Sequence, residues 1–198
     1  MYEYISGKIA TATATQVVID CGGVGYLLEV SLNTYAAVKE QDCARLWVHE
    51  IVREDAYLLY GFATVEEREM FRLLLSVSGV GAATARIMLS SKTVSELASA
   101  ISTQNIRAVQ GVKGIGAKTA QRIILELKDK VVGGQLVATI DQQSAAGGQQ
   151  MAFNQNKADA QAALVMLGFP KPAVEKVLRD IDPSISVEQM MKQAMQKL

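Results

Sequence analysis

The sequence predicts a multidomain chain of α+β class: a five-stranded β-barrel at residues 1–63, an all-α domain at 64–132, a flexible linker at 133–156 and a small three-helix domain at 157–198. Three observations carry this reading. Short apolar runs with strand-like alternation fill the first third, the apolar period changes to about 3.6 at Thr64, and a glycine hairpin that opens a helix occurs twice in the middle.

From Tyr2 to Phe62 the runs QVVID, GYLLEV, RLWVHEIV and AYLLYGF are separated by Gly, Asn, Asp or charged clusters, the pattern of short strands joined by turns. CGGVGY supplies a glycine-rich turn between the second and third strands. That many strands in so short a stretch suit a small OB-like barrel rather than a larger ligand-holding one. Arg53-Glu54-Asp55 falls between the last two runs and sets two adjacent carboxylates at or near a hairpin tip; read alone, such a pair is a solvated turn.

At Thr64 the segment VEEREMFRLLLSV places Met70, Phe71, Leu74, Leu75 and Val77 on one stripe of a helix. It runs into Ser78-Gly79-Val80-Gly81, followed by a helix from Ala82 to about Ser90. Thr93 and Glu96 form a capping-box signature for a third helix, and a short turn of helix over Gln104–Val109 leads to the second hairpin, Gly111–Gly116, and a long helix from Ala117 to about Lys130. GVGAATARIM and GIGAKTAQRI share Gly, aliphatic, Gly, Ala, any residue, Thr, Ala, so one structural unit is used twice, 35 residues apart.

The stretch 133–156 is rich in Gly, Gln, Ala and Ser, and a flexible chain of that length spans about 25–30 Å. Helices are then expected over Lys157–Leu167, Ala173–Asp180 and Val187–Lys197, delimited by Gly168, Pro170, Pro172 and Ser186. So small a domain hides little, which leaves its Met-rich face as either soft core or a partner surface.

Net charge is zero, but the charge is partitioned. Through Val65 four basic residues stand against eight acidic ones; from Glu66 to Val132 ten stand against six. The positive segment holds both hairpins. A Gly-x-Gly turn before a helix lets the backbone come close to an anion, with free N–H groups at the positive end of the helix dipole. One copy alone is commonly just a tight turn. Two copies in the basic segment, with Lys113, Lys118 and Arg122 around the second, favour an extended polyanion. Main-chain contacts to phosphates carry no base identity, so the expected binding is to nucleic acid by shape and not by sequence.

Two nucleotide motifs fail on spacing. In GVKGIGAKT, Ala117 separates Gly116 from Lys118, where a P-loop needs Gly-Lys-Thr in succession; Thr84 and Thr119 stand where a dinucleotide fingerprint needs its third glycine. His49, Cys21 and Cys43 make no triad or metal set, and Glu126 and Asp129 read as helix-surface charges. No catalytic residue, metal or cofactor is expected. With two cysteines and neither a signal peptide nor a spanning apolar run, a soluble cytoplasmic chain with reduced thiols is the expectation.

CGGVGY, VREDAYLLYGF, the tandem SGVGAATA and KGIGAKTAQRIILELKDK, the Gln/Gly linker and the final LGF, in that order, resemble the RuvA family. Its members are the Holliday-junction-binding subunits of the bacterial branch-migration complex. The resemblance implies an OB-fold, a tandem helix-hairpin-helix domain and a UBA-like C-terminal domain. It implies a homotetramer, with four or eight copies enclosing a four-way DNA junction held open and nearly planar. Implied partners are the hexameric ATPase RuvB, bound by the C-terminal domain, and the resolvase RuvC, in recombination, DNA repair and the SOS response to DNA damage; the chain itself hydrolyses nothing. By position, Glu54 and Asp55 match the acidic pin at the junction centre, and Gly79, Val80, Gly81, Gly114, Ile115, Gly116, Lys118 and Thr119 match the hairpins. Leu167, Phe169, Met191 and Met195 are the expected partner-binding residues. Ala83 departs from the pattern, standing where Lys118 stands in the second copy, so the first hairpin is expected to grip by its backbone and by Arg86. The rival reading is a helix-hairpin-helix glycosylase or nuclease, for which Asp129 is a poor catalytic candidate.

Overall fold

A computed structural model describes residues 1–132, 149–182 and 185–197. They fall into two compact units, one within Met1–Ser144 and one within Ala145–Leu198.

The first unit begins with β1 (Tyr4–Ala12), β2 (Gln16–Cys21), β3 (Val24–Val30), helix α1 (Leu32–Val38), β4 (Cys43–Val52) and β5 (Tyr57–Phe62). The strands close into a barrel in the order β1-β2-β3-β5-β4. All pairings are antiparallel except β3 with β5, where Glu29 lies opposite Tyr60. This is the OB arrangement. Alternation decides which side chains fill it: Val17 and Ile19, Leu28 and Val30, Leu46 and Val48 all point inward and are buried.

Helix α1 departs from the all-β reading of this stretch. Its N-cap is Ser31, whose hydroxyl accepts from the Thr34 amide at 2.9 Å. Seven residues are too few for a 3.6-residue period to emerge against the strand pattern on either side.

Helices α2 (Val65–Leu75), α3 (Ala82–Ser91), α4 (Val94–Ser102), α5 (Ile106–Gln110) and α6 (Ala117–Val132) follow. Thr64 caps α2, Thr93 and Glu96 form the full capping box of α4, and Asn105 caps α5. Their apolar stripes meet over Phe71, Leu74, Met88, Leu97, Ile101, Ile123 and Leu127, and Tyr60 and Phe62 of β5 belong to the same core. Phe71 joins the two parts, with its ring 4.9 Å from Phe62, 5.1 Å from Tyr60 and 5.5 Å from His49. The chain boundary at 63/64 is thus no boundary in packing. Burial first, then Arg72 and Arg68, hold His49 below its usual pKa, so it is a neutral packing residue at pH 7.

The second unit contains α7 (Gln149–Met166), α8 (Lys171–Arg179) and α9 (Val187–Met195) around Leu164, Val174, Leu178 and Met190. Helix α7 starts eight residues before the expected Lys157, so 149–156, read as linker, is helical; Gln, Met and Ala are good helix formers that a count of charges passes over. The rest of the expected linker, 133–148, lies outside the described residues. Gly168 ends α7 at φ +97°, its amide donating to Val165 and that of Phe169 to Leu164. Among the described residues, no helix is long and apolar enough to cross a membrane.

Candidate nucleic-acid interface

The two hairpins have the same internal geometry. In the first, the Val80 amide donates to the Val77 carbonyl at 3.0 Å; in the second, that of Ile115 donates to Val112 at 3.2 Å. Gly79 lies at φ +89° and Gly114 at φ +91°, the left-handed third position of a type II turn. The aliphatic residues on either side of each glycine, Val77 and Val80, Val112 and Ile115, are buried. They moor each turn from below and leave its outer edge in solvent. Val80 and Ile115, expected among the phosphate-binding residues, can therefore offer only main-chain atoms.

The second glycine of each hairpin is different. Gly81 has φ −90°, which any residue adopts, and a Cβ built on Gly81 or Gly116 would meet nothing within 4 Å. Neither conformation nor crowding calls for glycine there. Gly81 is the N-cap of α3 and gives no side-chain cap, unlike Ser31, Thr64, Thr93 and Asn105 at the other helix starts of this unit. Gly116, preceding α6, has no side chain to give. Among the described residues, no side chain caps the first-turn amides of α3 and α6, which lie on a surface open to close approach, as an anion site requires.

Cations are divided unequally. Lys113 and Lys118 are exposed and form no ion pair among the described residues. Ser78 and Ala83 take their places in the first hairpin. Arg86, expected to contact DNA, has its guanidinium paired with Glu29 and donating to the Thr15 carbonyl at 3.2 Å, which ties α3 to the barrel. Arg122 donates to the Ser78 carbonyl at 3.3 Å while lying 3.6 Å from Glu126. Lys130 of the same helix donates to the Ser76 hydroxyl at 3.2 Å. Helix α6 therefore braces both hairpins, a link between distant residues that no local signal announces.

Family models match the chain in three places: RuvA N terminal domain over residues 1–61, SAM-like helix-hairpin-helix tandem over 71–129, and RuvA C-terminal domain over 155–198. Among full-length relatives, the protein from Parabacteroides distasonis is 47% identical over 204 residues and that from Bacteroides fragilis 46% over 202, each comparison covering 100% of both chains. Both carry the name Holliday junction branch migration complex subunit RuvA. The chain belongs to the RuvA family.

The RuvA N-terminal match ends within β5, so it contains the acidic turn. Residues 53–56 join β4 to β5, closed by the Arg53 amide on the Ala56 carbonyl at 2.8 Å, and Glu54 and Asp55 are exposed at the tip. Below them Tyr57 donates to Glu50 at 2.8 Å, which pushes the phenol up to about 12 and ties the base of the hairpin across its two strands. In the RuvA C-terminal match, Leu167 and Met195 are exposed, whereas Phe169 and Met191 pack against the core. Val165 and Met166 add exposed apolar surface beside Leu167. The Met-rich face is split: Met190 is core and Met195 is surface.

Proposed function

We propose that this chain binds four-way DNA junctions by their backbone phosphates and holds them open for branch migration by a partner motor. The observation that carries the reading is the second glycine of each hairpin, a residue without a side chain where the fold has room for one. DNA backbone explains it: phosphates reach the first-turn amides of α3 and α6 only if no Cβ stands in front of them. The acidic turn supplies the shape preference. Carboxylates at Glu54 and Asp55 repel phosphates, so continuous duplex is disfavoured beside them, while strands that diverge at a junction pass on either side.

In this reading Gly79, Val80, Gly81, Gly114, Ile115, Gly116 and Thr119 contact phosphates, with Lys113, Lys118 and Arg122 adding charge. Four copies match the four arms, or eight enclose them. The unit built on α7–α9 meets a RuvB-type ATPase through surface that includes Leu167 and Met195, and a RuvC-type resolvase acts on the same junction. The work is cytoplasmic and serves recombination and repair.

The test is a titration of a synthetic four-way junction and of duplex of equal length at several salt concentrations. Tighter junction binding that weakens as salt rises is expected, and the paired substitutions Glu54→Gln and Asp55→Asn should narrow the difference. Equal affinities would overturn the proposal. Strand cleavage or base release by the purified chain alone would favour the enzymatic rival.

A further inference from the structure

Helix α1 sits where the barrel meets both helices that flank the first hairpin. Toward α2, Ser31 and Thr34 donate to the buried carboxylate of Glu67, Thr34 at 2.6 Å, and the Thr34 hydroxyl also accepts from the Ala63 amide at 3.0 Å. Toward α3, the Asn33 amide donates to the Leu89 carbonyl at 2.6 Å and to that of Lys92 at 3.1 Å, while the Leu32 amide donates to the Ser90 hydroxyl. The carbonyls at a helix end have no partner within the helix, so Asn33 closes the C-terminus of α3 from outside. The N-terminus of that same helix is the first hairpin.

We propose that Asn33 and Glu67 are positioning residues that set the register between the hairpins and the acidic turn, and thereby the choice of junction over duplex. This rests on the function proposed above. Helix α3, ten residues long, is a lever of about 15 Å, and a tilt of about 10° at its anchored end moves the hairpin by about 2–3 Å, as far as a hydrogen bond reaches. The second hairpin takes its position from the first through Arg122 on Ser78 and Lys130 on Ser76. Gripping duplex needs only the hairpins. Discriminating a junction needs the hairpins and the carboxylates of Glu54 and Asp55 at the correct separation.

Asn33→Asp is the informative variant, because it keeps the size of the side chain while turning an oxygen toward two carbonyl oxygens at an exposed position. Glu67→Gln is the conservative control, since its amide oxygen still accepts from one hydroxyl and its amide nitrogen donates to the other, which turns to accept. Distance distributions between spin labels on Val52→Cys and Ala83→Cys, with Cys21→Ser and Cys43→Ser, would be read in full-length chain diluted with unlabelled chain. Affinities for junction and duplex would be measured on the unlabelled variants. Asn33→Asp should broaden the distribution and lower junction affinity about tenfold with duplex affinity nearly unchanged, an effect within the reach of coupled contacts. Glu67→Gln should match the parent in both. An unchanged distribution, or equal losses on junction and duplex, would overturn the proposal. A parent chain with no junction preference would instead overturn the function above, leaving the distances to decide the positioning.

Discussion

Gly79 and Gly114 sit at φ +89° and +91°, so a side chain there is strained by the backbone alone, whereas Gly81 and Gly116 face open space without a positive φ. The two kinds of glycine should separate stability from binding. Gly79→Ala and Gly114→Ala should each cost about 1–2 kcal/mol in chemical denaturation. Gly81→Asp and Gly116→Asp should keep or gain a few tenths of a kcal/mol, because Asp is a good N-cap, yet lower DNA affinity about tenfold or more by setting a charge against the phosphate. Unaltered DNA binding by the Asp variants would show that nothing approaches these amides. At this scale local chemistry, such as the Thr93–Glu96 box, is legible in the sequence, and chemistry between distant residues is not. Arg86 stands one turn into a hairpin helix and looks like a DNA contact; its partner Glu29 is 57 residues away.

Among the elements, the two hairpin–helix units have one backbone geometry and different surface charge. Lys113 and Lys118 flank the second; Ser78 and Ala83 flank the first. Since Ala83 is exposed on the first turn of α3, Ala83→Lys should leave the fold intact and strengthen DNA binding, steepening the dependence of log affinity on log salt by about one. Lys118→Ala should reduce that slope by about the same amount; slopes unmoved by either would place the phosphates elsewhere. Element boundaries followed caps and glycines, which act within a few residues. Helix α1 is not legible in the sequence because a single Ser31 cap on seven residues is a weak local signal, and its stability comes from Glu67 and the end of α3. The start of α7 is hidden for the opposite reason, a composition that resembles linker while forming helix.

Across the whole molecule, the barrel and the helical domain share a core through Phe71, Tyr60 and Phe62, so they should unfold together. A chain ending after Val132 should give one calorimetric transition with equal calorimetric and van't Hoff enthalpies, and the full chain a further one from the unit of α7–α9. Phe71→Ala should lower the shared transition by about 3–5 kcal/mol and leave the other in place. Separate melting of barrel and helices would mean that this interface is weaker than its burial implies.

The sequence by itself determined the barrel, the doubled hairpin and the partition of charge, because each is written in periods, glycines and caps that act over a few residues. It also marked Glu54 and Asp55 by the strands on either side. Only the tertiary structure decided which cations are paired, which Met-face residues are core, and how the helices behind the hairpins are anchored. Those depend on Arg86 finding Glu29, Arg122 finding Ser78 and Asn33 finding the end of α3. Such pairings join residues far apart in the chain, and the energy that selects them exists only once the core has brought them together.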